Sequence, residues 1–138
     1  MSDAAAELLH RVPLFEGLSE RELAMIAETM KERRFRAGHV IAKEGERGVG
    51  FFVIKDGNAT VAVGGRPVGR LGPGDHFGEI ALIADTDRTA TVTADIDMVC
   101  YGMTSWEFRP LVEDHAEIAW KLLQSVARTI RDTERRGD

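Results

Sequence analysis

Glycine punctuation is what most limits the fold of this chain. Between Phe35 and Met103 the β-prone runs are short, and Gly45, Gly48, Gly57, Gly64, Gly65, Gly72 and Gly74 separate them. Glycine tolerates the positive φ that tight turns demand. The strand candidates are Val40-Ile41, Phe51 to Ile54, Ala59 to Val63, Val68 to Leu71, Thr89 to Thr93 and Met98 to Tyr101. Short strands broken by regular turn signals predict a sandwich or barrel.

Helical patterns flank this region. Ala4 to His10 reads as a first helix, ended by Pro13. A second starts at Ser19, where a hydroxyl followed three residues later by Glu22 makes a capping box. Leu23, Ile26, Ala27 and Met30 then fall on one face. Beyond the strands, Ser105 can cap a short helix over Trp106 to Val112. Ile118, Leu122, Val126 and Ile130 follow as an apolar stripe on a helix from about His115 to Arg135. With no linker and no repeat, the 138 residues read as one domain: helices over 1–34, strands over 35–104, helices over 105–138.

Composition narrows the function classes. A formal net charge of -5 disfavours a nucleic-acid partner, which would call for Lys and Arg to neutralise phosphates. The arginines near the end are interleaved with Asp132 and Glu134 and read as a solvated face. The lone cysteine, Cys100, lies in an apolar run and reads as a buried thiol. No apolar run suits a membrane span and no leader pattern opens the chain, so a cytoplasmic protein is expected. Enzymatic activity is not expected. His10, His39, His76 and His115 lack metal-ligand spacing, no serine elbow is present, and no catalytic residue, metal or cofactor is assigned.

One stretch does not read as plain strand and turn. Gly74-Asp75-His76-Phe77-Gly78-Glu79-Ile80-Ala81-Leu82-Ile83 leads through Ala84-Asp85-Thr86-Asp87 into Arg88-Thr89-Ala90-Thr91-Val92. A helical turn starting near Gly78 would aim unpartnered N–H groups at an anion. Arg88, across a polar loop, would add a planar guanidinium suited to phosphate. Glu79 repels an anion but can accept from a hydroxyl beside it, and a phosphate next to a hydroxyl describes a ribose phosphate. The plainer alternatives are an Arg88 paired with Asp85 or Asp87 on the surface, and a Glu79 that only suits a helix start.

The run Phe77-Gly78-Glu79-Ile80-Ala81-Leu82 with Arg88-Thr89-Ala90-Thr91-Val92 resembles the phosphate-binding cassette of the cyclic nucleotide-binding domain family, here residues 77–92. Phe52 to Gly57, Leu71 to Asp75 and Leu14 to Ser19 are also similar to that family, so the resemblance covers nearly the whole chain. It implies a mainly β fold, a β-roll or jelly roll of about eight short strands with N-terminal helices and C-terminal lid helices. It implies that Arg88 pairs with the cyclic phosphate and Glu79 holds the ribose 2'-hydroxyl. Backbone N–H groups near Gly78, Ile80, Ala81, Thr89 and Ala90 would complete the cradle. Many members carry proline before the arginine, where this chain has Asp87.

The expected ligand is cAMP, with cGMP as the alternative because Thr89 occurs in members of both kinds. Val61, Val63, Val68 and Leu71 are candidate walls of the base pocket, though each could be ordinary core. Ile130 or Arg131 is a candidate to cover the base. The expected partners are the cyclic nucleotide and an effector protein or output domain. A second copy could pair through the last helix, whose stripe could equally pack on its own roll. The rival reading is a degenerate roll that serves only as an interaction or dimerisation module.

Overall fold

The computed structural model describes residues 2–48 and 50–135. Two four-stranded sheets face each other. One has the order β1 (Lys31–Phe35), β8 (Met98–Thr104), β3 (Gly50–Asp56), β6 (His76–Phe77). The other runs β2 (Val40–Ala42), β7 (Thr91–Ala94), β4 (Ala59–Val63), β5 (Arg66–Leu71). Every pairing within these sheets is antiparallel. The fold is therefore mainly β with flanking helices, the jelly-roll architecture the sequence implies.

Period-two alternation gives the first sheet two buried faces. From β3, Ile54 points between the sheets, where it joins Val92, Met98 and Cys100, with Phe52 packed beside them. Phe51 and Val53 point the other way, into a second core shared with the helices. That second core gathers α1 (Ser2–Leu9), α2 (Glu20–Thr29), α3 (Ser105–Asp114) and α4 (Ala116–Arg135) around Phe15, which sits in a 3₁₀ turn, Pro13–Phe15. Phe15 meets Phe51 edge-on with centroids 5.8 Å apart, and Phe108 of α3 at 6.2 Å. The helices are thus keyed to the strand that backs the cassette.

Helix α2 starts as its capping box requires. Ser19 N–H donates to Glu22 Oε1 at 2.8 Å, and Glu22 N–H donates to Ser19 Oγ at 3.2 Å. At α3 the cap is Thr104, one residue before the expected Ser105; its N–H and hydroxyl both donate to Glu107 Oε1, at 2.9 and 2.8 Å. The chain breaks between the two C-terminal helices at His115, whose φ of -131° and ψ of 84° leave the helical region.

Several boundaries differ from the sequence reading. Lys31–Phe35 is a strand, not the end of a helical region, because a charged run suits an exposed sheet edge. β6 is two residues long, too short to show in periodicity. β5 starts at Arg66 and carries Pro67 on an edge strand, the place in a sheet where a missing N–H is tolerated. β7 starts at Thr91, so Thr89 and Ala90 stay in the loop before it. The first helix is Ser2–Leu9 where Ala4 to His10 was expected.

Candidate functional site

The cassette leaves the roll after β6 and returns to it at β7. Gly78 makes the exit possible. Its φ is +89°, and a Cβ there would run into the carbonyl of Gly50 and the guanidinium of Arg88. Glu79–Leu82 then forms a 3₁₀ turn, with the Ala81 N–H closing on the Gly78 carbonyl at 3.1 Å. The Ala81 N–H is thus engaged within the turn. The N–H groups of Glu79 and Ile80, at the start of the turn, have no partner within it.

Arg88 is half-buried and its position is set from two sides. Its N–H donates to the Glu46 carbonyl at 2.8 Å, and its carbonyl accepts from Gly45 N–H at 2.9 Å, which ties the cassette to the loop before β3. Its Nη2 donates to the Gly50 carbonyl at 2.6 Å. The side chain passes over Gly48 so closely that a Cβ there would overlap it. Burial pulls the Arg88 pKa down, and the opposing charge of Glu79 offsets part of that pull.

Glu79 and Arg88 both line a cleft of about 260 Å³ whose floor is Ala42, Val61, Leu71 and Val92. Gly78, Ile80, Ala81, Thr89 and Ala90 are also in its wall. The site thus sets one cation, Arg88, and two carboxylates, Glu79 and Asp87, around an apolar floor, an arrangement that can hold an anion, a hydroxyl and a flat apolar body together.

The structure gathers some of the expected base-pocket residues and not others. Val61 and Leu71 line the cleft. Val63 and Val68 do not: they are 43% and 63% exposed. Val63 ends β4 at the Gly64-Gly65 turn and Val68 lies on the edge strand, so neither is covered. Ile130 lines a different, apolar cavity of about 450 Å³ with Pro13, Leu14, Ile80, Ile83 and Val126. Arg131 is exposed, with its Nε 3.7 Å from Asp132. Both sit away from the cleft because α4 is held along the helical layer. Lys121 Nζ meets Glu22 at 2.7 Å, and Arg128 Nε meets Glu16 at 3.4 Å.

The surface-pair alternative for Arg88 does not describe what is seen. Asp85 is engaged by Arg47 at 3.1 Å on the exposed side of the loop, and Asp87 pairs through its backbone with the same Arg47. Among the described residues no salt bridge joins Arg88 to either aspartate. Sequence reasoning missed Arg47, Gly48, Gly50 and His76. The two glycines at the entry to β3 were a visible signal, but nothing local tied them to an arginine some 40 positions later.

Residues 32–115 match the family model described as the cyclic nucleotide-binding domain. The chain belongs to the cyclic nucleotide-binding domain family. Domains of this family are regulatory rather than catalytic. This cyclic nucleotide-binding domain is 38% identical over 133 residues to a cyclic nucleotide-gated potassium channel of Rhizobium etli, covering 95% of this chain and 35% of that protein. It is 42% identical over 92 residues to a cAMP-dependent protein kinase regulatory subunit of Mycosarcoma maydis, covering 64% and 18% respectively. Among solved structures it is similar to the N-terminal domain of a transcriptional regulator from Streptomyces coelicolor, with a TM-score of 0.83 and 28% identity over 94% of this chain and 93% of that one. The chain thus spans about a third or less of the curated relatives' length. No helix among the described residues is long and apolar enough to cross a membrane.

Proposed function

We propose that this cyclic nucleotide-binding domain is a cytoplasmic cAMP sensor in which Arg88 pairs with the cyclic phosphate and Glu79 accepts from the ribose 2'-hydroxyl. The observation that carries this reading is the shared cleft: both side chains line the same space of about 260 Å³, with the start of the 3₁₀ turn between them. Val61 and Leu71 wall the base end. The ligand assignment leans on the relative named for cAMP. A cGMP-dependent protein kinase of Toxoplasma gondii, 38% identical over 97 residues, makes cGMP the comparison ligand.

The signal passes to α4. Ile80 and Ile83 of the cassette share an apolar cavity with Val126, Thr129 and Ile130 of α4. Ligand that draws the 3₁₀ turn towards the cleft changes what that end of α4 packs on. The equilibrium moves only by the difference in ligand affinity between the two arrangements. The domain itself catalyses nothing; α4 reports to an effector protein or output domain.

A second reading is a roll that works through the outer face of α4, by pairing with a second copy, without nucleotide. It rests on Trp120 and Leu123, which are 63% and 60% exposed.

Titration calorimetry with cAMP and cGMP on the wild type and Arg88→Ala separates the two. The sensor reading expects cAMP to bind more tightly than cGMP, and expects the variant to lose at least about 2 kcal/mol, roughly thirtyfold. Equal binding by the variant, or no binding by the wild type, overturns it.

A further inference from the structure

The two cavities meet at His76, Glu79 and Ile80, which line both. His76 lines both the cleft that holds Arg88 and the apolar cavity beneath the end of α4. Its Nε2 lies 3.5 Å from Oε2 of Glu79, and the two side chains are only 23% and 31% exposed. The ring leans on Phe51, with centroids 6.2 Å apart, and the backbone is fixed by the pairing of His76 with Val53. The charged residues that line the two cavities are Glu79, Asp87 and Arg88. The faces presented by Pro13 and Leu14, and by Val126, Thr129 and Ile130 of α4, bring no charge to the ring.

We infer that His76 is a positioning residue for Glu79, and that its protonation tightens nucleotide binding. The inference rests on the reading of Glu79 as the ribose ligand. A carboxylate has two oxygens and about four acceptor directions. A protonated His76 engages Oε2 and fixes the carboxylate plane, leaving Oε1 to accept from a hydroxyl. Its charge also cancels that of Glu79, which otherwise repels the phosphodiester bound beside it. A neutral imidazole does neither as well.

The sign follows from linkage. If the bound phosphodiester and hydroxyl are best held with His76 charged, His76 takes its proton more readily in the complex than in the free domain. Binding then carries proton uptake, and the gain in affinity is full at low pH and lost as pH rises through the range where histidines titrate. His10 and His39 line neither cavity, and His115 is engaged through Nδ1 with the Leu111 carbonyl at 2.8 Å.

The test is cAMP affinity by calorimetry between about pH 6 and about pH 8, in two buffers of different ionisation enthalpy so that proton uptake is counted. The wild type is expected to bind about fivefold more tightly at the acid end, with proton uptake. His76→Gln, which keeps a polar side chain without the titration, is expected to show a flat profile near the wild type's affinity at the alkaline end. A merely structural role for His76 would lower affinity in the variant while leaving the pH slope intact, and that result overturns the inference. So does a wild-type profile that is flat or reversed. Glu79→Ala at the alkaline end, which removes both acceptor oxygens, tests the underlying reading separately: if it binds as tightly as the wild type, the ribose assignment fails, whatever the pH profile shows.

Discussion

Arg88 and Gly48 are mutually exclusive in side-chain space: the guanidinium and its Cδ lie where any Cβ on Gly48 would sit. The positive φ seen at Gly78 is not required at Gly48, so its role is room rather than backbone freedom. Gly48→Ala is therefore expected to leave the melting temperature nearly unchanged while displacing Arg88 from the Gly50 carbonyl. Loss of that placement should cost about tenfold in cAMP affinity. Gly78→Ala meets backbone as well as Arg88 and is expected to lower stability by more than about 1 kcal/mol along with affinity. Thermal melts beside calorimetry distinguish the two variants, and equal effects on stability would contradict the assignment.

Glu22 links a helix cap to the C-terminal helix. Burial works to raise its pKa, but hydrogen bonds from Lys121 and Ser19 outweigh burial and leave it lowered. A depressed carboxyl contributes stability above its unfolded pKa and loses it as pH falls through the folded value. Lys121→Met is expected to melt earlier than the wild type at neutral pH, and the gap should close in acid once Glu22 is protonated in both. A gap that stays constant with pH would remove the ion pair from the account.

The two faces of α4 should answer mutation differently. Leu122 is 4% exposed and packs into the helical core, whereas Leu123 is 60% exposed. Leu122→Ala is expected to cost about 3 kcal/mol in denaturant unfolding. Leu123→Ala should stay within about 0.5 kcal/mol in a monomer. A large, concentration-dependent loss for Leu123→Ala would instead reveal a second copy on that face.

Cys100 is fully buried between the sheets, and burial pushes its thiol up to about 12. An aromatic disulfide reagent at mildly alkaline pH is expected to leave the native domain unmodified and to titrate one thiol after denaturation. Rapid reaction of the native domain would mean that the space between the sheets opens readily.

The sequence by itself determined a sandwich or barrel of short strands, the α2 cap and the closeness of Glu79 to Arg88 along the chain. These rest on local chemistry: a glycine where φ must be positive, a hydroxyl and a glutamate at capping distance, and a cassette whose members are close along the chain. Only the tertiary structure decided what surrounds them. Lys31–Phe35 has the composition of a solvated segment and becomes a strand because β8 offers it an edge. Val63 and Val68 look as suited to a pocket wall as Val61, and the free end of a hairpin and an exposed sheet edge leave them uncovered. Ile130 sits on the apolar side of α4, yet the contacts of Lys121 and Arg128 carry it to a cavity beside the cassette rather than over the cleft. His76 acquires its meaning from a carboxylate three residues on and from two cavities that distant segments enclose. Periodicity reports which face of an element is apolar; which partner covers that face depends on contacts between residues far apart in the chain, and no local pattern encodes them.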